Sequence, residues 1–294
     1  MHHDSYTRRI WLQSAAAAVA STKLVAGRTF SHPLGVQLYT VRNIIDKNPD
    51  DILRQIAEIG YREVELGRGD LAKLGPLLKK HNLKPVSCHI EAGYITGKWA
   101  GSPAAPAWKD AVAEAKQHGV TYMVMAYIPP ADRGDATVIR RLADKMTQAA
   151  AEAHAAGLQF AYHNHAFEFA GEKGKRPIDI LLSEFEKAKI GLEMDVFWVS
   201  VAGNDPVQML HDLKGRVPLV HLKDKAKDAP VMYAENVKRD AFKEVGNGSL
   251  DFAAVLKAAE AAGVKHYFVE QDQTPGDPIA SLRTSYENLR KIDA

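Results

Sequence analysis

The chain has little cysteine and little net charge. Its 294 residues include one cysteine, Cys88, which excludes an intrachain disulfide and a thiolate-rich metal site. The 38 basic and 36 acidic side chains leave a formal net charge of +2, which argues against a broad basic surface for DNA or RNA. We therefore expect no nucleic-acid partner. No G-x-G-x-x-G phosphate loop follows an apolar run, which disfavours a Rossmann-like dinucleotide-binding fold.

Long hydrophobic runs are also missing. Near the N-terminus, in YTRRIWLQSAAAAVAS, Arg8 and Arg9 precede a short apolar run that ends in small residues. The run has about a dozen residues, fewer than the roughly 20 that span a bilayer. This pattern predicts a twin-arginine export signal and short linker in residues 1–30, a periplasmic or otherwise exported protein, and no membrane span after cleavage. A surface amphipathic helix is the alternative for this segment.

From residue 34 onward, short β-branched or aromatic runs alternate with amphipathic stretches. Segments such as DDILRQIAEIG and DFAAVLKAAEAAG have apolar residues three and four positions apart and end in glycine, as helices do. Parallel strands joined by right-handed crossovers follow from this alternation, and eight units in about 260 residues predict an α/β fold, a (β/α)₈ TIM barrel. We expect one domain over residues 31–294. The predicted strands are 34–39, 63–66, 84–90, 122–127, 158–165, 190–195, 217–224 and 266–271.

Polar side chains stand at the ends of nearly all predicted strands, where the chemistry of such barrels lies. Charges at the mouth of an apolar core are costly unless a partner or a metal compensates them. Carboxylates and imidazoles suit a divalent cation, with Mn²⁺ preferred and Mg²⁺, Co²⁺ or Zn²⁺ as alternatives. Three consecutive strands supply Asp195, His221 and Glu270 as predicted ligands. A fourth is expected from AYHNHAFEF (161–169), where side-chain alternation points His163 and His165 into the barrel.

Five motifs, GVQLYTVR, MDVFWV, VHLKD, VGNGSLDF and FVEQDQ, occur in the order and spacing of a known family. On these residues the chain resembles the sugar phosphate isomerase/epimerase superfamily of xylose isomerase-like TIM barrels. The resemblance implies a divalent metal held by a Glu from strand 5, an Asp from strand 6, a His from strand 7 and a Glu from strand 8. The last three correspond to Asp195, His221 and Glu270, whereas the strand-5 position is His163.

Two residues compete for the fourth ligand position. Either Glu168 supplies a carboxylate from the loop after strand 5, or His163 binds the metal itself. We favour Glu168, because a carboxylate keeps the ligand charge and can also act as an acid or base.

A small-molecule carbohydrate is the expected substrate. The sequence is compatible with a homo-oligomer. The favoured function is a metal-dependent sugar isomerase or epimerase that removes a proton next to a carbonyl through an enediolate, with Glu168 and Glu270 as opposed carboxylates. The alternative is a lyase or dehydratase that expels water or a glycosyl oxygen, with His163 or His165 as the acid. A non-catalytic carbohydrate-binding barrel is the second alternative.

Further residues are expected to hold the substrate. Lys223 either stabilises a developing oxyanion or forms an ion pair with Glu193 or Asp224. The remaining predicted contacts are Gln37, Tyr39, His89 and, as a stacking wall, Trp198.

Overall fold

Eight parallel strands close into a barrel at the centre of the structure. The computed structural model describes residues 30–99 and 107–292. Within them the strands are β1 (Leu34–Gln37), β2 (Glu63–Gly67), β3 (Lys84–Ile90), β4 (Tyr122–Met125), β5 (Gln159–His163), β6 (Gly191–Asp195), β7 (Leu219–Leu222), β8 (Asp224–Lys225), β9 (Phe242–Lys243) and β10 (His266–Val269). The barrel order is β1-β10-β7-β6-β5-β4-β3-β2. The predicted single-domain TIM barrel is thus confirmed.

Helices follow the barrel strands and cover their outer faces. They are α1 (Pro49–Ile59), α2 (Leu71–Lys80), α3 (Gly93–Thr96), α4 (Trp108–Gln117), α5 (Ala136–Ala155), α6 (Pro177–Ala188), α7 (Val196–Val201), α8 (Pro206–Asp212), α9 (Phe252–Ala262) and α10 (Pro278–Leu289). Aspartates begin several of them: Asp135, Asp205, Asp251 and Asp277 each accept a backbone N–H from the first turn. Such caps stabilise a helix by about 1 kcal/mol each.

The barrel interior is apolar at one level and polar at the next. A small buried cluster consists of Val86, Val124, Ala161, Leu219 and Phe268. The Phe268 ring fits there because residue 35 is glycine, where a Cβ would lie 2.4 Å from Phe268 Cδ1. Side chains two residues further along a strand share the same face, so His163 follows Ala161 and His221 follows Leu219 toward the C-terminal mouth. The polar residues therefore lie directly above an apolar floor.

Five of the barrel strands, β1, β4, β5, β7 and β10, end two residues earlier than predicted. β1 ends at Gln37 because Leu38–Val41 form a 3₁₀ turn, and β5 ends at His163 rather than at residue 165. After β7 the chain does not continue straight. It forms an antiparallel hairpin, β8 with β9, that the sequence pattern did not reveal. The loop between its strands brings Glu235 and Val237 to the edge of the mouth.

The N-terminal prediction lies outside the described residues, since Arg8, Arg9 and the apolar run after them precede residue 30. At residue 30 the chain already contacts the barrel, because the Phe30 ring centre lies 5.0 Å from that of Tyr267 in β10. Over the described ranges, none of the helices is both long enough and apolar enough to cross a bilayer.

Candidate active site

A cleft of about 640 Å³ opens at the C-terminal ends of the barrel strands. Its size falls within the usual range for small-molecule sites. The predicted site residues that line it are Gln37, Tyr39, His89, His163, His165, Trp198, Lys223 and Glu270. Two carboxylates of the prediction, Asp195 and Glu168, are fully buried behind this surface.

Four side chains form what we name the mouth group: His163, Asp195, His221 and Glu270. The His221 Nδ1 atom is 2.8 Å from Glu270 Oε2 and 4.0 Å from Asp195 Oδ2. His163 Nε2 lies 3.7 Å from the same Asp195 oxygen. Ligand atoms of Asp195, His221 and Glu270 all lie within 4.8 Å of one another. The structure thus brings together the three ligands predicted from β6, β7 and β10.

The mouth group can hold a divalent metal. Asp195 Oδ1 accepts the Trp198 N–H at 3.0 Å and caps α7, which leaves Oδ2 free to face the mouth. Oδ2 is buried and has no hydrogen bond among the described residues, although Lys223 Nζ lies 3.1 Å away as an ion-pair partner. An under-satisfied buried carboxylate beside two imidazoles and a second carboxylate is a donor set typical of Mn²⁺ or Zn²⁺ sites.

Glu168 lies outside the mouth group, against the outer face of β5. The 3₁₀ turn Phe167–Phe169 folds its side chain back against β5, where Oε1 accepts the Tyr162 hydroxyl at 2.6 Å and Oε2 accepts the His165 N–H at 2.9 Å. Burial raises the pKa of this carboxyl to about 7, despite both hydrogen bonds. Because Tyr162 points away from the barrel interior, Glu168 is held on the helix-facing side. This geometry contradicts Glu168 as the fourth ligand and as a catalytic carboxylate, and it places His163 beside Asp195 instead.

A second layer, which we name the deep group, lies beneath the mouth group and consists of Glu65, His89 and Glu193. His89 Nε2 is 2.8 Å from Glu65 Oε1 and 3.0 Å from Glu193 Oε2. Both carboxylates are fully buried. Neither glutamate was predicted to be a site residue, although Glu193 stands two residues before Asp195 and therefore shares its inward face. That spacing was the signal that could have identified it.

Gln37 lines the base of the cleft and contacts the deep group. Its Nε2 atom donates to Glu65 Oε1 at 2.8 Å, and its Oε1 atom accepts the Tyr39 N–H at 3.1 Å. Tyr39 itself is 51% exposed at the rim, with the Arg42 guanidinium 3.9 Å from its ring centre. A substrate would meet Tyr39 first and Gln37 only at the base of the cleft.

Lys223 is a charged residue at the wall of the mouth. Its Nζ atom lies 2.8 Å from Glu270 Oε2 and 2.8 Å from Asp272 Oδ1. Neither Glu193 nor Asp224, the ion-pair partners considered from the sequence, is the partner observed. Burial would lower the pKa of Lys223, but Asp195, Asp272 and Glu270 raise it well above its usual value. The side chain therefore carries a positive charge at neutral pH.

The histidines differ in charge. Burial would lower the pKa of His221, yet Glu193 and Glu65 raise it well above the usual value. Burial, with help from neighbouring cations, lowers the pKa of both His163 and His165 well below the usual value. Burial would raise the pKa of Glu270, but Lys223 and His221 hold it well below its usual range. The cleft thus has neutral imidazoles beside β5 and an ionised carboxylate after β10.

Trp198 and His165 form one side of the cleft. Their ring centres are 5.2 Å apart, and Lys223 Nζ lies 5.8 Å from the Trp198 ring centre. Neither ring nitrogen of His165 has a hydrogen-bond partner among the described side chains, and its Nδ1 atom is buried. An aromatic plane beside an unpaired imidazole offers a surface for a sugar face and a group that can move a proton.

Known proteins resemble this chain in sequence and in fold. One curated relative, the inosose dehydratase of Geobacillus thermodenitrificans, is 29% identical over 145 residues, which are 46% of this chain and 48% of that protein. The chain therefore matches about half the length of that relative. A sugar phosphate isomerase/epimerase from Parabacteroides distasonis shares the fold with a TM-score of 0.73 and 23% identity, over 89% of this chain and 98% of that one.

A further structure, the IolI protein with a bound zinc atom, has a TM-score of 0.67 and 17% identity, over 87% of this chain and 96% of that one. At these identities the structural neighbours establish the fold alone. The xylose isomerase-like TIM barrel family model matches residues 53–292, most of the chain. The chain belongs to the xylose isomerase-like TIM barrel family.

Proposed function

We propose that the protein is a metal-dependent lyase that eliminates water or an alcohol from a keto sugar or a keto-glycoside. One observation favours this lyase over the epimerase that the sequence predicted. The second carboxylate that an epimerase of that design needs, Glu168, faces away from the cleft, and the unpaired imidazole of His165 lines it instead. A β-elimination needs one group that takes a proton from carbon and returns it to the leaving oxygen.

The mouth group would hold the metal through His163, Asp195, His221 and Glu270. When bound, a divalent cation supplies positive charge that favours loss of a proton from the carbon next to a ketone. Lys223 adds a fixed ammonium at the same wall of the cleft, where it can donate to a substrate hydroxyl. Trp198 provides the flat apolar surface against which a sugar ring can lie.

His165 carries the proton in this scheme. The neutral imidazole accepts the proton from the carbon next to the ketone, and the C–O bond of the neighbouring carbon breaks. The imidazolium then donates that proton to the departing oxygen, so the products are an unsaturated ketone and water or an alcohol. Atoms and charge balance without a second base.

Two other features support the choice of substrate and reaction. The cleft is large enough for more than one sugar ring, so a glycosyl leaving group is compatible with its volume of about 640 Å³. The curated relative named as inosose dehydratase would catalyse loss of water, although it matches this chain over only 48% of its own length.

The His165→Asn variant tests the proton carrier. We expect turnover to fall by about 10²- to 10⁴-fold, which is the usual contribution of a general acid or base. Metal content should stay at the wild-type level, because His165 is not in the mouth group. The matched control is His211→Asn, which changes an exposed histidine on α8. Turnover of His165→Asn within twofold of wild type would exclude His165 from this role.

The reaction class is tested by incubating metal-loaded protein with keto sugars and keto-glycosides in D₂O. Release of water or alcohol with formation of an unsaturated ketone is the expected result. Deuterium exchange without net elimination would indicate an epimerase. If none of the substrates shows elimination or deuterium exchange, a non-catalytic carbohydrate-binding barrel would be favoured.

An epimerase is the second candidate, supported by one observation. Two groups that can accept a proton, His165 after β5 and Glu270 after β10, line the same cleft from strands separated by β6 and β7. Groups on well-separated strands can reach opposite faces of one carbon, as inversion requires.

We further propose Mn²⁺ as the metal and export through the predicted signal in residues 1–30. An exported enzyme would meet free or oxidised sugars rather than phosphorylated ones. Metal analysis of protein recovered from the periplasmic fraction checks both proposals. Recovery of the protein with its N-terminal segment intact in the cytoplasmic fraction would contradict export.

A further inference from the structure

We propose that Glu65 and Glu193 are positioning residues that fix the tautomers of His221 and His163 and so create the metal-binding side of each ring. The inference rests on the metal dependence of the proposed function. It assigns a task to the two carboxylates of the deep group, which are buried at a large desolvation cost.

The first pair is Glu65 with His221. Glu65 Oε1 lies 2.6 Å from His221 Nε2, at hydrogen-bond distance. An ionised carboxylate can only accept, so Nε2 must carry a proton. Nδ1 faces Asp195 and Glu270, and a metal in the mouth group would displace the proton that Nδ1 donates to Glu270 Oε2 at 2.8 Å, which would leave Nδ1 as the ligand atom and Nε2 protonated. Glu65 thus directs the donor atom of His221 toward the mouth group.

The second pair repeats this arrangement. Glu193 Oε2 is 3.2 Å from His163 Nδ1, which places the ring proton on Nδ1. The other ring nitrogen, Nε2, is the one that lies 3.7 Å from Asp195 Oδ2. Each histidine of the mouth group therefore has one nitrogen toward a deep carboxylate and one toward the ligand carboxylates.

The deep carboxylates are themselves held in place. Glu65 accepts the Gln37 amide at 2.8 Å through Oε1 and the Ser87 hydroxyl through Oε2. His89 Nε2 bridges Glu65 and Glu193 at 2.8 and 3.0 Å. Partners that orient a metal-binding imidazole usually change metal affinity by 10- to 100-fold, because they fix the ring and raise its basicity.

The deep group offers a competing metal position. Atoms of His89, His163, Glu193 and His221 also lie within 4.8 Å of one another. The mouth group is the better site for catalysis, because His163 and Glu270 line the cleft whereas neither Glu65 nor Glu193 reaches it. Of the deep group only His89 lines the cleft, so a substrate there meets the ligand atoms of the mouth group through His163 and Glu270.

The test measures the affinity of the metal-free protein for Zn²⁺ by competition with a chromophoric chelator. We expect Glu65→Gln to raise the Kd about 10-fold through loss of charge, and Glu65→Met to raise it up to about 100-fold through loss of the acceptor. Glu193→Gln should behave like Glu65→Gln. The matched control is Glu63→Gln on the same strand, whose carboxylate pairs with His266 Nδ1 at 2.8 Å outside the cleft. That control should bind Zn²⁺ as wild type does.

Far-ultraviolet circular dichroism of each metal-free variant confirms folding before affinity is measured. The inference is overturned if folded Glu65→Gln and Glu65→Met bind Zn²⁺ within twofold of wild type, or if Glu63→Gln loses as much affinity. It is also overturned if anomalous diffraction from Zn²⁺-loaded crystals places the ion among His89, Glu193 and His221 rather than beside Asp195 and Glu270. Affinity is read without substrate, so an inactive protein with the expected affinities would refute the lyase proposal alone.

Discussion

Replacing Glu270 by Gln is expected to reduce turnover by at least about 10³-fold, equivalent to roughly 4 kcal/mol of transition-state stabilisation. The change removes a negatively charged metal ligand from the mouth group, where His221 Nδ1 lies 2.8 Å from Glu270 Oε2. It also frees Lys223 from one of its carboxylates. Metal affinity and the position of the Lys223 ammonium should both change. Both act on the substrate carbon next to the ketone, from which the proton is removed.

The fold should tolerate this change. A buried charge that loses its partner is usually costly, but each partner of Glu270 retains other carboxylates. Lys223 keeps Asp195 and Asp272, and His221 keeps Glu65. We therefore expect the thermal midpoint of Glu270→Gln to stay near that of wild type, so the loss of turnover would report on the site.

Steady-state kinetics with a substrate found active on wild type is the measurement. Glu91→Gln serves as the control, because Glu91 also follows a barrel strand but pairs with Arg68 at 2.5 Å outside the cleft. Equal losses in the two variants would show a general effect of charge at the strand ends. Wild-type kinetics in Glu270→Gln would exclude Glu270 as an essential metal ligand of the mouth group.

The sequence predicts the barrel because its determinants are local and repeated. All eight barrel strands lie within the predicted runs, apart from a one-residue extension of β2 to Gly67, and β3 matches residue for residue. The hairpin β8 with β9 was missed for the opposite reason. Each strand has two residues, and their pairing joins Asp224 to Lys243 across a long loop that periodicity cannot reveal.

The position of a candidate site residue was predictable where it lies in a strand or directly after one, and not where it lies in a turn. Asp195, His221 and Glu270 meet because strand alternation and barrel closure determine their direction. Glu168 follows β5 in a 3₁₀ turn, and its direction depends on the Tyr162 hydroxyl, a contact that spacing does not encode. The burial of Glu65 beside His221 depends on strands from opposite parts of the chain, so the deep group emerges only from the closed barrel.

Asp224→Ala is expected to lower the free energy of unfolding by about 3 to 5 kcal/mol, because it removes one carboxylate that satisfies many backbone donors. Asp224 is buried and accepts N–H groups from Lys225, Gly246, Gly248, Ser249 and Leu250, at 2.8 to 3.2 Å. Without it, these donors must find water, and the loop that leads into α9 opens. A domain of this size should then melt roughly 10 °C lower.

Two comparisons separate this effect from a general loss of charge. Asp228→Ala changes an exposed aspartate in the loop between β8 and β9, and its thermal midpoint should stay within about 1 °C of wild type. Gly248→Ala keeps Asp224 but would place a Cβ 2.3 Å from Asp224 Oδ1 and 2.4 Å from the Lys225 carbonyl, so it should destabilise as well. The measurement is the thermal midpoint of each variant. Equal midpoints for Asp224→Ala and Asp228→Ala would show that the five hydrogen bonds to Asp224 do not stabilise the loop that leads into α9. Because Phe242 of β9 lines the cleft, the same opening should also weaken substrate binding in Asp224→Ala.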